Sequence, residues 1–263
     1  MTTFPITSSR RVTTPLPVRE IGAADLKAAL SLGVDDFLAM PTHVLFLGLI
    51  YPLVGLFIAL TAFGADLMPM IFPLASGFAL IGPFAAVGLY ELSRRRHSGR
   101  DTGWNAAFRS LSRRTSTGLA TMGLVLAIVF VAWLLSAQGL FWALYGADVP
   151  ATPTAFITDV LTSSRGWALM ALGTGVGFAF ALIVLATSIV SMPMMVDRDV
   201  DALTAVETSL DAFRRNPRTL ITWGCIVAAM LVVGSIPLFI GLAVAMPILG
   251  HATWHLYKRL VVT

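Results

Sequence analysis

Apolar residues in this chain come in long uninterrupted runs, separated by short segments where apolar and polar positions alternate with a helical period. A helix needs about 20 mostly apolar residues to cross a bilayer, and the runs meet that length. The pattern predicts span 1 at 43–63, span 2 at 67–90, span 3 at 118–142 and span 4 at 166–192. A further run, Thr219–Gly250, has no charge at all. It is too long for one untilted crossing, and Gly234-Ser235-Ile236-Pro237 in its middle is a turn signal. Dividing it there gives span 5 at 219–235 and span 6 at 237–257.

The short segments between the runs carry one apolar stripe each. Leu26, Leu30, Val34 and Phe37 form the first, Trp104, Ala107, Phe108 and Leu111 the second, and Leu203, Val206, Leu210 and Phe213 the third. Spacings of three and four residues are those of an amphipathic helix. The opposite faces are polar, with Asp35 and Asp36 in the first segment and Glu207, Asp211 and Arg214 in the third. Asp35-x-Phe37-x-x-x-Pro41 matches Asp211-x-Phe213-x-x-x-Pro217, so the chain reads as a degenerate threefold repeat. The expected architecture is all-α and polytopic, with six transmembrane helices in three pairs. Each pair follows a cytoplasmic amphipathic helix, in units of roughly 22–91, 101–192 and 199–260, after a mobile cytoplasmic tail over 1–21.

Composition agrees: 57% of the 263 residues are hydrophobic and 12% are charged, about half the charge of a soluble domain. Lys and Arg fall before span 1, between spans 2 and 3, between spans 4 and 5, and after span 6. Arg165 alone lies on the other side. Lys/Arg-rich loops stay in the cytoplasm, so both termini are expected there. The basic balance follows from topology and does not point to nucleic acid. No short apolar core of a cleaved signal peptide occurs in the first 42 residues, so the first span is expected to direct insertion.

Candidate chemistry is sparse. The spans as drawn contain no Asp, Glu, Lys or Arg, which argues against a proton-coupled pathway through the bilayer centre. His251 and His255 share one helical face at i, i+4, and His43 sits at a similar depth. These three are the candidate metal ligands; the alternative is interface histidines bonded to carbonyls or headgroups. Gly173 and Gly177 have the small-xxx-small spacing of close helix contact. With Trp104, Phe108, Leu210 and Phe213 they are candidate packing or partner-contact residues. Asp197-Arg198-Asp199-x-Asp201 lacks the glycine and distal Glu of a calcium loop and is expected to start the third surface helix. No nucleophile elbow or carboxylate-rich metal motif occurs, so no enzyme activity and no cofactor are expected.

Three stretches carry a family resemblance. They are Gly82-Pro83-Phe84-Ala85-Ala86-Val87-Gly88-Leu89-Tyr90-Glu91-Leu92-Ser93-Arg94-Arg95, then Met192-Pro193-Met194-Met195-Val196-Asp197-Arg198-Asp199, then Gly250-His251-Ala252-Thr253-Trp254-His255-Leu256-Tyr257-Lys258-Arg259. Together they resemble the bacterial integral membrane family catalogued as domain of unknown function 2189, over about residues 22–260. The resemblance implies a multi-pass bacterial inner-membrane protein and brings no catalytic residues. The expected role is a non-catalytic accessory or interaction subunit with the lipid bilayer and another membrane protein as partners, a respiratory-chain complex being one candidate. A transporter or lipid-handling protein is the first alternative, and a metal or haem carrier at the cytoplasmic edge the second.

Overall fold

The computed structural model describes residues 12–40, 68–103, 116–146, 148, 150, 152–237 and 240–262. The first expected span and the second amphipathic segment, with His43, Trp104 and Phe108, lie outside the described residues. The described chain is helical: α1 (Ala23–Ala39), a 3-10 turn at Met68–Met70, α2 (Ile71–Ala85), α3 (Val87–His97), α4 (Ser116–Tyr145), α5 (Pro153–Thr162), α6 (Ser164–Ser188), α7 (Ser191–Asp197), α8 (Ala202–Arg215), α9 (Pro217–Ser235) and α10 (Leu242–Leu260).

Among the described residues four stretches are long and apolar enough to cross a membrane: Phe72–His97, Thr117–Tyr145, Ser164–Asp197 and Pro217–Ser235. They overlap the expected spans 2 to 5. The described residues thus bear out a polytopic helical membrane protein with four such stretches among them. Helix α10 is not among the four, since His251, His255, Lys258 and Arg259 dilute its apolar character. It is nevertheless antiparallel to α9. The two are pinned where they turn, because a Cβ on Gly241 would stand 2.7 Å from Gly234 Cα.

The best-packed core is at one end of the bundle. Fully buried Leu89, Leu92, Met192, Met194, Met195, Leu220, Trp223, Trp254, Leu256 and Tyr257 all lie there. Along the shafts the pattern inverts: Leu124, Ile128, Val131 and Leu135 of α4, Leu172, Phe178 and Ile183 of α6, and Val232 and Val233 of α9 face outward. Outward apolar side chains suit lipid, which is as apolar as they are. The packed end is where charged segments meet, and there water must be excluded by protein.

Two helix breaks shape this end. Pro83 lacks the N–H of an i to i−4 bond, and the helix is interrupted at Ala86 between α2 and α3. The second break, at Ile189–Val190, separates α6 from α7. It frees two backbone groups, and Ser209 of α8 engages both: its Oγ donates to the Ala186 carbonyl (2.8 Å) and accepts from Val190 N–H (3.2 Å).

In both amphipathic helices that the structure describes, the most buried face is rotated to one side of the stripe read from sequence. In α1 the buried positions are Leu26, Ala29, Gly33 and Asp36, with Met40 following. In α8 they are Thr204, Ala205, Thr208, Ser209 and Ala212, while Leu203 is exposed. The stripe residues Leu30, Val206 and Phe213 flank the contact, half-buried. Small and hydroxyl residues face inward because backbones approach closely there. On α1, a Cβ at Gly33 would stand 2.7 Å from both Ala252 N and the Ile248 carbonyl of α10.

The segment read as part of a mobile tail is held. Val12 N–H donates to the Asp199 carbonyl (2.9 Å), Arg19 N–H to Leu260 (2.8 Å), and Val262 N–H back to Pro17 (3.0 Å). Ile21 N–H donates to Asn216 Oδ1 (2.8 Å), and Asn216 Nδ2 donates to the Arg19 carbonyl (3.0 Å). Residues 12–21 therefore form a strap, in which Pro17–Arg19 run beside Leu260–Val262.

Candidate functional site

The three sequence motifs, far apart along the chain, converge at the packed end. The last motif delivers polar side chains to three acids, Asp197, Asp25 and Asp36. Tyr257 OH and Lys258 Nζ donate to Asp197 Oδ2 at the end of α7 (2.9 and 3.2 Å). Arg259 Nη1 donates to Asp25 Oδ1 in the first turn of α1 (2.9 Å). Asp25 also accepts the Gly22 N–H (3.0 Å), which caps α1; the cap and Arg259 lower its pKa against a smaller opposing effect of burial.

The centre of the cluster is Asp36. Its Oδ2 accepts from Ser93 Oγ of α3 (2.5 Å) and bonds His255 Nε2 of α10 (2.9 Å), and its Oδ1 accepts from Arg96. Ser93 Oγ also meets His251 Nδ1 at 2.7 Å. Asp36 is 4% exposed, Ser93 1% and His251 0%. Burial alone would raise the Asp36 pKa. The hydrogen bonds from His255, Ser93 and Arg96 outweigh that and hold it at about 2.

An ionised Asp36 fixes the protons around it. The Ser93 hydroxyl carries one hydrogen, and at 2.5 Å from a carboxylate oxygen it must point there. Ser93 then accepts, and His251 donates from Nδ1. The Nε2 of His251 is left as a lone pair with no hydrogen-bond partner among the described residues. Ser, His and Asp thus come together, but the serine bridges the other two and is sealed from solvent. A nucleophile must reach a substrate, and Ser93 does not.

Next to this lies a second closed group. Glu91, 1% exposed, takes both Nε (2.7 Å) and Nη2 (2.9 Å) of Arg94 and also Arg95 Nε (2.9 Å). Such bidentate pairing satisfies a carboxylate that could not otherwise be buried.

Of the expected site residues, His251 and His255 do share a face, and that face meets Asp36 and Ser93. No group of three or more His, Cys, Asp or Glu arranged for a metal occurs among the described residues. Gly177 lies under the Trp133 ring of α4 (3.1 Å for an added Cβ), and Gly173 lies nearer Leu140 than any other residue (3.8 Å). Phe213 lies against the core and Leu210 is half-buried. Asp201 caps α8 by accepting Thr204 N–H (2.9 Å), the helix start expected of the acidic run.

Asp36, Ser93, Glu91, Arg96 and Asp197 are missing from the candidates read from sequence. Asp36 was placed on the polar face with Asp35, but Asp35 is exposed and Asp36 buried. One signal is legible: Leu26, Ala29, Gly33, Asp36 and Met40 form a second helical stripe, with two small residues in it.

Residues 70–197 match the model of the family described as "Predicted integral membrane protein (DUF2189)". This stretch contains the first motif and all but the last two residues of the second, and ends before the third, so it is narrower than the 22–260 expected from sequence. No curated protein and no solved structure matches the chain.

Proposed function

We infer, for a chain that over residues 70–197 is a member of this integral membrane protein family, a role as a non-catalytic interaction subunit of a larger assembly in the bacterial inner membrane. The observation that carries this reading is the contrast between the two ends of the bundle. The polar groups able to do chemistry are held by one another: Asp36, Ser93, His251 and His255 form one knot, and beside it Glu91 is taken up by Arg94 and Arg95. The shafts of α4, α6 and α9 stand open and apolar, α6 most of all. A knot that fixes helix positions beneath open spanning faces suits a protein that presents membrane surface to a partner.

The same geometry supports six crossings with both termini cytoplasmic. Helix α10 runs from the Gly234–Gly241 turn back to the strap, so it traverses the thickness that α9 crosses. Met40 clusters with Leu92 at the knotted end, whereas the start of α2 lies well away from it, the Pro73 carbonyl accepting from Trp133 Nε1 midway along α4 (2.8 Å). The remaining crossing of the six is the expected span 1, at 43–63, outside the described residues.

Purification from native membranes in mild detergent tests the subunit role. A larger membrane assembly should accompany the chain at a fixed molar ratio. Recovery of the chain alone, at its own mass plus detergent, would overturn the reading.

A further inference from the structure

At the end of the bundle away from the Asp36 knot, α5 joins α4 to α6. Its inward face is fully engaged. The Phe156 ring lies 6.0 Å from Phe141 and 5.8 Å from Tyr145. Asp159, the one charged residue of α5, accepts from Tyr145 OH (2.7 Å), Ser163 Oγ (3.1 Å), Arg165 Nε (3.0 Å) and Arg165 Nη2 (3.1 Å). The Arg165 guanidinium also lies over the Tyr145 ring at 4.5 Å. The outward face is left without charge. It shows Ile157 and Leu161, one helical turn apart, among Thr154, Thr158 and Thr162, all exposed.

Two exposed tryptophans locate this face. Trp142 lies three residues before the end of the stretch Thr117–Tyr145, and Trp167 three residues after the start of Ser164–Asp197. At 1.5 Å per residue, both sit about 4.5 Å inside the ends of their helices. Tryptophan concentrates at that level, where its ring is in the apolar layer and its N–H reaches a polar group. Trp167 Nε1 donates to the Leu161 carbonyl (2.7 Å), which ties the end of α5 to the same level. Below it the exposed face continues through Met170 and Leu172.

We propose that α5 lies flat in the headgroup–acyl boundary of the bilayer, with Ile157 and Leu161 inserted among the lipids and the Asp159–Arg165 pair locking the helix to the spans. Helices of this kind bury one apolar face at the membrane surface. The apolar face, the absence of outward charge and the depth of the two tryptophans each fit a lipid surface as the occupant. The assignment depends on membrane placement and not on the subunit role, so either can fail without the other.

Spin labels test it in the full chain, reconstituted in phosphatidylcholine vesicles on a Cys225→Ser background. Ile157→Cys and Leu161→Cys should each collide more with oxygen than with a water-soluble nickel chelate, and Asp148→Cys, on the exposed connection, should show the reverse. Nickel-favoured collisions at 157 and 161 would mean a solvated face and overturn the proposal. Low collision rates with both reagents would mean that protein covers the face, and would overturn it equally. A second measurement leaves α5 unaltered: brominated lipids should quench wild-type tryptophan fluorescence, and the double variant Trp142→Phe/Trp167→Phe should lose a clear share of that quenching. Equal quenching in the two proteins would refute the depth assignment.

Discussion

Replacing Asp36 with Asn removes one charge from the most enclosed part of the molecule and changes the side-chain shape little. The Asn oxygen can still accept from Ser93 and His255, but the amide N–H2 then faces Arg96, which is a donor. Removing one member of a buried ionic network costs about 3–5 kcal/mol. Arg96 is 39% exposed and recovers part of its loss in water, which sets the expectation near 3 kcal/mol for Asp36→Asn. Asp35→Asn is the control, one residue along and exposed, with an expected change within about 0.5 kcal/mol. The assay is unfolding of the detergent-solubilised protein, followed by fluorescence of the buried Trp223 and Trp254. The pH dependence adds a second readout. The folded Asp36 pKa of about 2 lies below the ordinary 3.8, so its contribution is fully present above pH 4 and is lost as pH falls from 4 toward 2. The gap corresponds to about 2 kcal/mol. Other carboxylates titrate in the same window, so the quantity to compare is wild type minus Asp36→Asn, which should shrink as pH falls. If Asp36→Asn is no less stable than Asp35→Asn, or the difference is flat between pH 4 and 2, Asp36 does not hold the knot together.

Gly33→Ala should push α1 away from α10, because its Cβ would meet backbone atoms of Ala252 and the Ile248 carbonyl; the expected loss is about 1–3 kcal/mol by the same unfolding assay. Ser209→Ala strips both partners from the α6–α7 break, and a loss of about 1–3 kcal/mol should follow. Asn216→Ala releases the strap at two bonds, so limited proteolysis should cut within residues 12–21 faster than in wild type, while the rest of the chain stays resistant.

Hydrophobic periodicity by itself determined the elements whose stability rests on contact with lipid. The apolar runs, the turn at Gly234–Pro237 and the start of α9 beside Pro217 are local properties, because a helix in hydrocarbon satisfies its own backbone wherever its neighbours lie. The i, i+4 pairing of His251 and His255 was legible for the same reason. Tertiary structure alone decided what those histidines face and which side of α1 and α8 turns inward. The largest apolar residues mark a buried face only when helices stand a side chain apart. Where Gly33 brings two backbones together, Ala29 and Asp36 occupy the contact, and the larger stripe residues are displaced to its flanks. The partners of Asp36 come from segments more than 50 residues away, and no local pattern encodes such a distance. Whether an acid is solvated or buried depends on donors that arrive only when the bundle closes, which is why Asp35 and Asp36 look alike along the chain and differ in the fold.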